Sequence, residues 1–351
     1  MRVDDFDYAL PPELIAQYPP AERDGGRLMV LDRASGEIAH HAIRELPELL
    51  DPGTLMVVND SRVIWARLRA RRATGGRVEL LLLERLEIQG AAERWSCMLR
   101  SSKSPRVGEV LALEQRRTGG PRPRRRPSPL PQGQVTVLTP PAEGRCEVAL
   151  AAGTLELSGS VPLPPYIRRV DEPGDRERYQ TVYARPEGSV AAPTAGLHLT
   201  RPLLQRLRGA GVELGHVTLH VGPGTFQPVR CQEVELHEME RERYAVPERT
   251  ARAIRRARAE KRPVLAVGTT VVRTLEATGG RAGSGRTGLF IYPGHRFGVV
   301  DRLLTNFHLP RSTLVMLVAA FAGAERLLGA YAEAVRQGYR FYSYGDAMYI
   351  R

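Results

Sequence analysis

The chain has 351 residues, 42% of them hydrophobic and 26% charged, a composition of ordinary globular proteins that excludes wholesale disorder. That length favours two domains over one and is ample for a buried core. The net charge of +12 points to an anionic partner through phosphate neutralisation and counterion release, but six arginines (Arg116, Arg117, Arg122, Arg124, Arg125, Arg126) crowd one segment, and subtracting them from +12 leaves +6.

The opening Met1-Arg2-Val3-Asp4-Asp5 lacks the basic start and apolar stretch of a secretory signal, which predicts a cytoplasmic protein. The longest apolar run, Leu314 to Ala322, is too short to span a bilayer and reads as the buried face of a helix, so no membrane partner is expected. Leu28-Met29-Val30-Leu31 and Leu55-Met56-Val57-Val58 are short apolar runs bounded by turn or polar residues and predict buried strands. Asn59-Asp60-Ser61-Arg62 follows the second. From residue 66 to residue 158 the texture changes. Strand-like pieces at 66–70, 77–83, 94–99, 109–113, 134–138, 146–150 and 154–157 alternate with turns such as Thr74-Gly75-Gly76, which predicts an inserted antiparallel β-barrel or sandwich. Within it, residues 115–134 are rich in Pro, Gly and Arg and predict a mobile basic loop. That loop reads either as a tolerated insertion or as an arm touching nucleic-acid phosphates. Cys97, Cys146 and Cys231 stand far apart in sequence without a CxxC pair, so free thiols and no metal site are expected.

From Val161 onward helical and strand patterns alternate. Residues 201–209 predict a helix, 212–221 a strand, 247–262 a basic amphipathic helix, 263–267 a strand and 271–277 a helix opened by the turn Gly268-Thr269-Thr270. Residues 312–336 predict a helix capped by Ser312 or Thr313, with breaks at Gly323 and Gly329. The fold class expected is therefore a larger α/β (α+β) domain, residues 1–65 and 159–351, with the small antiparallel β-barrel domain 66–158 inserted.

Strand alternation places His216, Thr218 and His220 on one face and Val217, Leu219 and Val221 on the other. The Gly222-Pro223-Gly224 turn that follows lets backbone approach a ligand, although it lacks the third glycine and the helix of a dinucleotide fingerprint. Gly268-Thr269-Thr270 ends a strand and opens a helix, so its N–H groups suit a carboxylate or phosphate, or simply form a cap. Arg273 and Glu276, three apart on one helical face, fit an ion pair or a clamp for an amino-acid-like group. Two further polar clusters are Pro193-Thr194-Ala195-Gly196-Leu197-His198 and Thr305-Asn306-Phe307-His308; a lone His in such a loop is more often structural than basic. Near the end, Arg340-Phe341-Tyr342-Ser343-Tyr344-Gly345-Asp346 offers aromatics that either stack an unpaired base or plug the core.

Read together, these segments resemble the S-adenosylmethionine:tRNA ribosyltransferase-isomerase family along the whole chain. The segments that carry the resemblance are Leu14-Ile15-Ala16-Gln17 with Pro19 and Arg23, Asn59-Asp60-Ser61-Arg62-Val63-Ile64, Tyr179-Gln180-Thr181-Val182-Tyr183-Ala184, 190–198, 217–224, 267–276, 304–317 and 339–348. Trp65 stands where that family has proline, and Met239-Glu240-Arg241-Glu242 replaces a Met-His-Ser-Glu stretch. The resemblance implies transfer and isomerisation of the ribosyl group of S-adenosylmethionine onto 7-aminomethyl-7-deazaguanine at the tRNA wobble position. The products implied are epoxyqueuosine-tRNA, adenine and methionine. It also implies that S-adenosylmethionine is consumed as a substrate, with no resident cofactor.

For that chemistry a base must remove a proton from the ribosyl methylene beside the sulfonium. The candidates are His198, His220, His308 and Asp60, with His198 or His220 favoured. Substrate contacts are expected from Arg62, Thr194, Gly222, Gly224, Thr269, Thr270, Arg273, Asn306, Tyr342, Tyr344 and Asp346, in a monomer that binds tRNA and S-adenosylmethionine. An RNA methyltransferase and a non-enzymatic RNA-binding module are the rival readings.

Overall fold

The computed structural model describes residues 1–114, 133–226, 229 and 231–351. The chain opens with strands β1 (Arg27–Leu31) and β2 (Ile38–Ala42), the short helix α1 (Leu46–Leu49), then β3 (Leu55–Asn59) and β4 (Arg62–Val63). The next six strands, β5 (Arg67–Arg71), β6 (Arg77–Gln89), β7 (Ala92–Ser101), β8 (Val110–Leu113), β9 (Gln134–Val137) and β10 (Arg145–Ala151), close into an antiparallel barrel in the order β10-β7-β6-β5-β8-β9. Period-two patterning makes this barrel: Val78, Leu80 and Leu82 of β6 point inward against Cys97 and Leu99 of β7 and Val148 and Leu150 of β10. Cys97 and Cys146 face each other across the β7–β10 pair with their sulfurs 3.5 Å apart, so two thiols distant in sequence are neighbours. Residues 154–157, expected as a strand, instead lie in helix α2 (Thr154–Ser158). The barrel is closed without them, and Gly153 in the left-handed region turns the chain away. The basic loop expected at 115–134 lies, for residues 115–132, outside the described residues.

After α3 (Asp175–Arg178) and β11 (Glu187–Ser189) come α4 (Arg201–Gly209), β12 (Glu213–Leu219), β13 (Glu242–Val246), α5 (Glu248–Ala259), β14 (Val264–Val267), α6 (Thr269–Thr278), β15 (Gly283–Thr287), β16 (Arg302–Asn306), α7 (Thr313–Ala322), α8 (Ala324–Arg336) and β17 (Ala347–Ile350). Nine strands form one mixed sheet in the order β15-β13-β12-β3-β14-β16-β17-β1-β2, in which β12, β3, β14 and β16 run parallel. Parallel strands are covered on both faces, which explains the near-continuous apolar runs. Leu55 and Val57 join the core under α5 to α8, while Met56 and Val58 join the opposite core under α4 with Leu203 and Leu207. Thr200 caps α4 by accepting from the Leu203 amide at 3.1 Å. The long terminal helix breaks at Gly323 alone, where φ of +89° and a bend of 113° separate α7 from α8; Gly329 lies inside α8. Among the described residues no single helix is long and apolar enough to cross a membrane.

Candidate active site

The carboxyl ends of parallel strands are where open α/β sheets bind ligands, and here the chemistry-bearing segments gather at those ends. β3 runs into Asn59-Asp60-Ser61-Arg62, β12 into His220-Val221-Gly222, β14 into Gly268-Thr269-Thr270 and β16 ends at Asn306. Buried Asn59 ties three of them together. Its amide donates to the Leu219 carbonyl at 2.9 Å and to Thr270 Oγ1 at 3.3 Å, and its Oδ1 accepts from the Ser61 and Leu219 amides at 3.1 and 3.0 Å. Ser61 and Ser189, also buried, join hydroxyls at 2.8 Å, and Ser189 Oγ accepts from the Val221 amide.

Along β12 the polar face is as the alternation predicts: Thr218 donates to Asp60 Oδ1 at 2.7 Å, with His216 and His220 on either side in sequence. Both imidazoles keep a buried Nδ1 without a hydrogen-bond partner. Burial lowers the pKa of both below that of a free imidazole. The Arg243 guanidinium adds to the effect at His220; Asp60 opposes it at both, more weakly. His220 fits only because residue 188 is glycine: Gly188 has φ of +136°, and a Cβ there would sit 3.0 Å from His220 Nδ1.

The other two candidate histidines are placed differently. His198, 3% exposed, ends the 3-10 turn Thr194–His198, and its Nε2 meets the Asn306 amide at 3.0 Å. Burial pushes its pKa down to about 4. His308 is buried beside the aromatic core, joined to Thr305 Oγ1 at 2.8 Å, with its pKa pushed down to about 3 by burial. Both rings are buried. Tyr342 and Tyr344, expected as stacking surfaces, are also inside: Tyr342 packs on Tyr166 with ring centres 4.2 Å apart, and Tyr344 donates to Asp175 at 3.1 Å. The buried Asp346 carboxylate accepts from the Arg27 and Arg340 amides at 2.8 Å each, so it fastens the chain's end to β1.

Arg273 and Glu276 do not pair with each other. Arg273, 3% exposed, is ion-paired to Glu242 and donates to the Leu289 carbonyl at 3.0 Å. Glu276 accepts from the amides of Gly298, Val299 and Val300. Glu242 also accepts from the Gly222 amide at 2.8 Å, which joins the Gly222–Gly224 turn to Arg273; a Cβ on Gly224 would meet Glu240 at 3.1 Å. Thr269 and Thr270 are nearly buried at the start of α6, and Thr194 is half-buried at the start of its turn.

Beside this end of the sheet a cleft of about 600 Å³ is lined by Arg62, Val63, Ile64 and Trp65 and by Gln180, Thr181 and Val182, with Arg23, Arg176, Arg201, Glu156, Glu177 and Glu187 among its charged groups. The Arg176 guanidinium lies 3.7 Å from the centre of the Trp65 ring. Of the residues named from sequence as substrate contacts, Arg62 alone lines this cleft. Gln180, Thr181 and Trp65 line the cleft but were not named from sequence because nothing in residue type marks them; the signal available was that Gln180 and Thr181 lie in the motif segment 179–184 and that Trp65 directly follows the segment 59–64.

A family model described as a queuosine biosynthesis protein matches residues 3–350. The chain belongs to that family. It is 52% identical, over the whole of both chains, to the S-adenosylmethionine:tRNA ribosyltransferase-isomerase of Pelobacter propionicus, and equally so to that of Geobacter metallireducens. The crystal structure of the S-adenosylmethionine tRNA ribosyltransferase from Thermotoga maritima is similar, with a TM-score of 0.54 and 37% identity over 99% of this chain and 100% of that one. The larger sheet with a closed six-strand barrel is thus the architecture of a queuosine biosynthesis protein, in agreement with the expected fold class.

Proposed function

We propose that this member of the queuosine biosynthesis family is an S-adenosylmethionine:tRNA ribosyltransferase-isomerase, acting on tRNA that carries 7-aminomethyl-7-deazaguanine at the wobble position. The observation that carries the reading is agreement at about 50% identity, end to end, with relatives that share this one name. The enzyme transfers the ribosyl group, closes the epoxide of epoxyqueuosine and releases adenine and methionine.

The 600 Å³ cleft is of nucleoside size. Its mixed charge suits S-adenosylmethionine: arginines for the carboxylate, glutamates for the ammonium and sulfonium, and the Trp65 face for adenine. His220 is the favoured base. Its ring is held neutral by burial, has an unpartnered nitrogen, and lies behind Gly188, next to the cleft residue Glu187. A neutral imidazole takes the proton from the methylene beside the sulfonium, after which adenine leaves. The uncharged aminomethyl nitrogen of the tRNA base then attacks carbon, and methionine departs as the epoxide forms. Asp60, fixed by Thr218, orients the histidine face.

The reaction with S-adenosylmethionine and tRNA bearing the aminomethyl base should yield adenine and methionine in equal amounts. Label in the donor's ribose should pass to the tRNA, and label in its methyl group should leave with methionine. Methyl label on the tRNA together with S-adenosylhomocysteine would establish the methyltransferase reading instead. Replacing His220 by Asn should lower turnover about a hundredfold or more; near-normal turnover would move the base to Asp60 or His216.

A further inference from the structure

We infer that a second, smaller cavity, beside the cleft assigned to S-adenosylmethionine, is a clamp for the RNA backbone phosphates next to the target nucleotide. The inference rests on the ribosyl-transfer reading for the identity of the RNA, but its evidence is separate. This cavity measures about 270 Å³ and shares Val182 and Arg201 with the larger cleft. Its charged lining differs in kind. The larger cleft mixes arginines with glutamates, whereas the smaller is lined by Arg185, Arg201 and Arg208 with no carboxylate.

Most arginines of this chain that lie near acids are paired with them, as in Arg72–Glu109, Arg94–Glu147 and Arg206–Glu48. Arg185, Arg201 and Arg208 have exposed side chains, and no ion pair joins them to any acid among the described residues. Arg201 and Arg208 are seven residues apart on α4, which places them on one face of the helix, with Leu204 and Gln205 between them lining the same cavity. Two turns of helix separate them by about 10 Å, too far for one phosphate group and suited to neighbouring phosphates of a strand. His216 closes the inner wall with its buried, unpartnered Nδ1. Several guanidinium groups around a neutral imidazole, with no carboxylate in the lining, form a site for a multiply charged anion, and guanidinium forks match phosphate oxygens in pairs. Because Arg201 lines both cavities, a strand gripped here passes beside the larger cleft, where a base splayed from an anticodon loop meets the ribosyl donor.

The full-length protein carrying Arg185→Gln and Arg208→Gln together should be titrated with the substrate tRNA at several salt concentrations, alongside wild type and a control, Arg252→Gln with Arg255→Gln on the exposed face of α5. Each lost phosphate contact should flatten the slope of log affinity against log salt by about 0.7 to 0.9. The clamp variant should bind tRNA about tenfold more weakly per arginine removed, with its KM for tRNA raised and its KM for S-adenosylmethionine unchanged. The control should keep the wild-type slope. Wild-type slope in the clamp variant, or an equal loss in the control, would overturn the clamp. Wild-type protein that binds tRNA with the expected slope difference yet releases no adenine would sink the ribosyl-transfer reading and leave the phosphate site standing.

Discussion

The barrel and the carboxyl end of the large sheet spend their polar groups in opposite ways. Inside the barrel every inward position is apolar or a thiol, and its charges sit outside in pairs such as Arg94–Glu147 and Arg72–Glu109. At the strand ends, by contrast, Asn59, Ser61, Thr270, Arg273 and Glu242 are all buried, and His216, His220 and Arg273 keep nitrogens without partners. Burying polar groups destabilises a fold unless each is satisfied. Buried atoms without a hydrogen-bond partner occur elsewhere too, at Arg67 Nε on β5 and at the Tyr179 hydroxyl among others, but the strand ends gather two imidazoles and a guanidinium of this kind, an arrangement suited to a ligand.

The comparison is broken most severely at the buried ion pair. Arg273→Met removes the guanidinium paired with buried Glu242 and should lower unfolding free energy by about 3–5 kcal/mol in urea titration; the double change with Glu242→Met should recover much of that. A loss below about 1 kcal/mol would mean that the pair is reached by water. In the barrel, Leu80→Ala should cost about 2–5 kcal/mol through a cavity, with kcat for the folded fraction unchanged, since Leu80 does not itself line the cleft. Loss of turnover in fully folded Leu80→Ala protein would show that the barrel tunes the site.

Acid sharpens the contrast next. His198 and His308 have folded pKa values of about 4 and about 3, below the ordinary value of 6.5. A lowered folded pKa means that the unfolded chain binds the extra protons. Stability from the neutral rings is therefore full above pH about 6.5 and falls as pH drops toward 4 and 3. Replacing both by Asn should remove up to two protons from the pH slope in that window, measured by urea unfolding at fixed pH values. The smallest effect is expected at the barrel surface, where Arg94→Ala should cost less than about 1 kcal/mol.

Much of this was legible in the sequence because local patterning governs the barrel and the sheet: residues 201–209 form the helix expected, and the alternation at His216, Thr218 and His220 holds. Segment 154–157 was misread because four residues of alternating apolar character do not separate a strand from one helical turn. Partner choice was illegible for the same reason that Arg273 seemed to suit Glu276: helical spacing shows who can meet on one element, whereas Glu242 arrives from a different strand. Burial of Tyr342, Tyr344 and His308 is likewise decided by distant segments, among them Tyr166, Asp175 and Tyr331.

Strand β17 has a bearing on how the molecule is made. It lies between β16 and β1, antiparallel to β16 and parallel to β1. While residues 347–350 are still within the ribosome, β1 and β2 have no partner on that side and β16 presents an open edge. Completion of the sheet must wait until β17 has been made, and a chain cut before it would expose two open strand edges, on β1 and on β16, the feature that directs incomplete products to aggregation or to proteolysis.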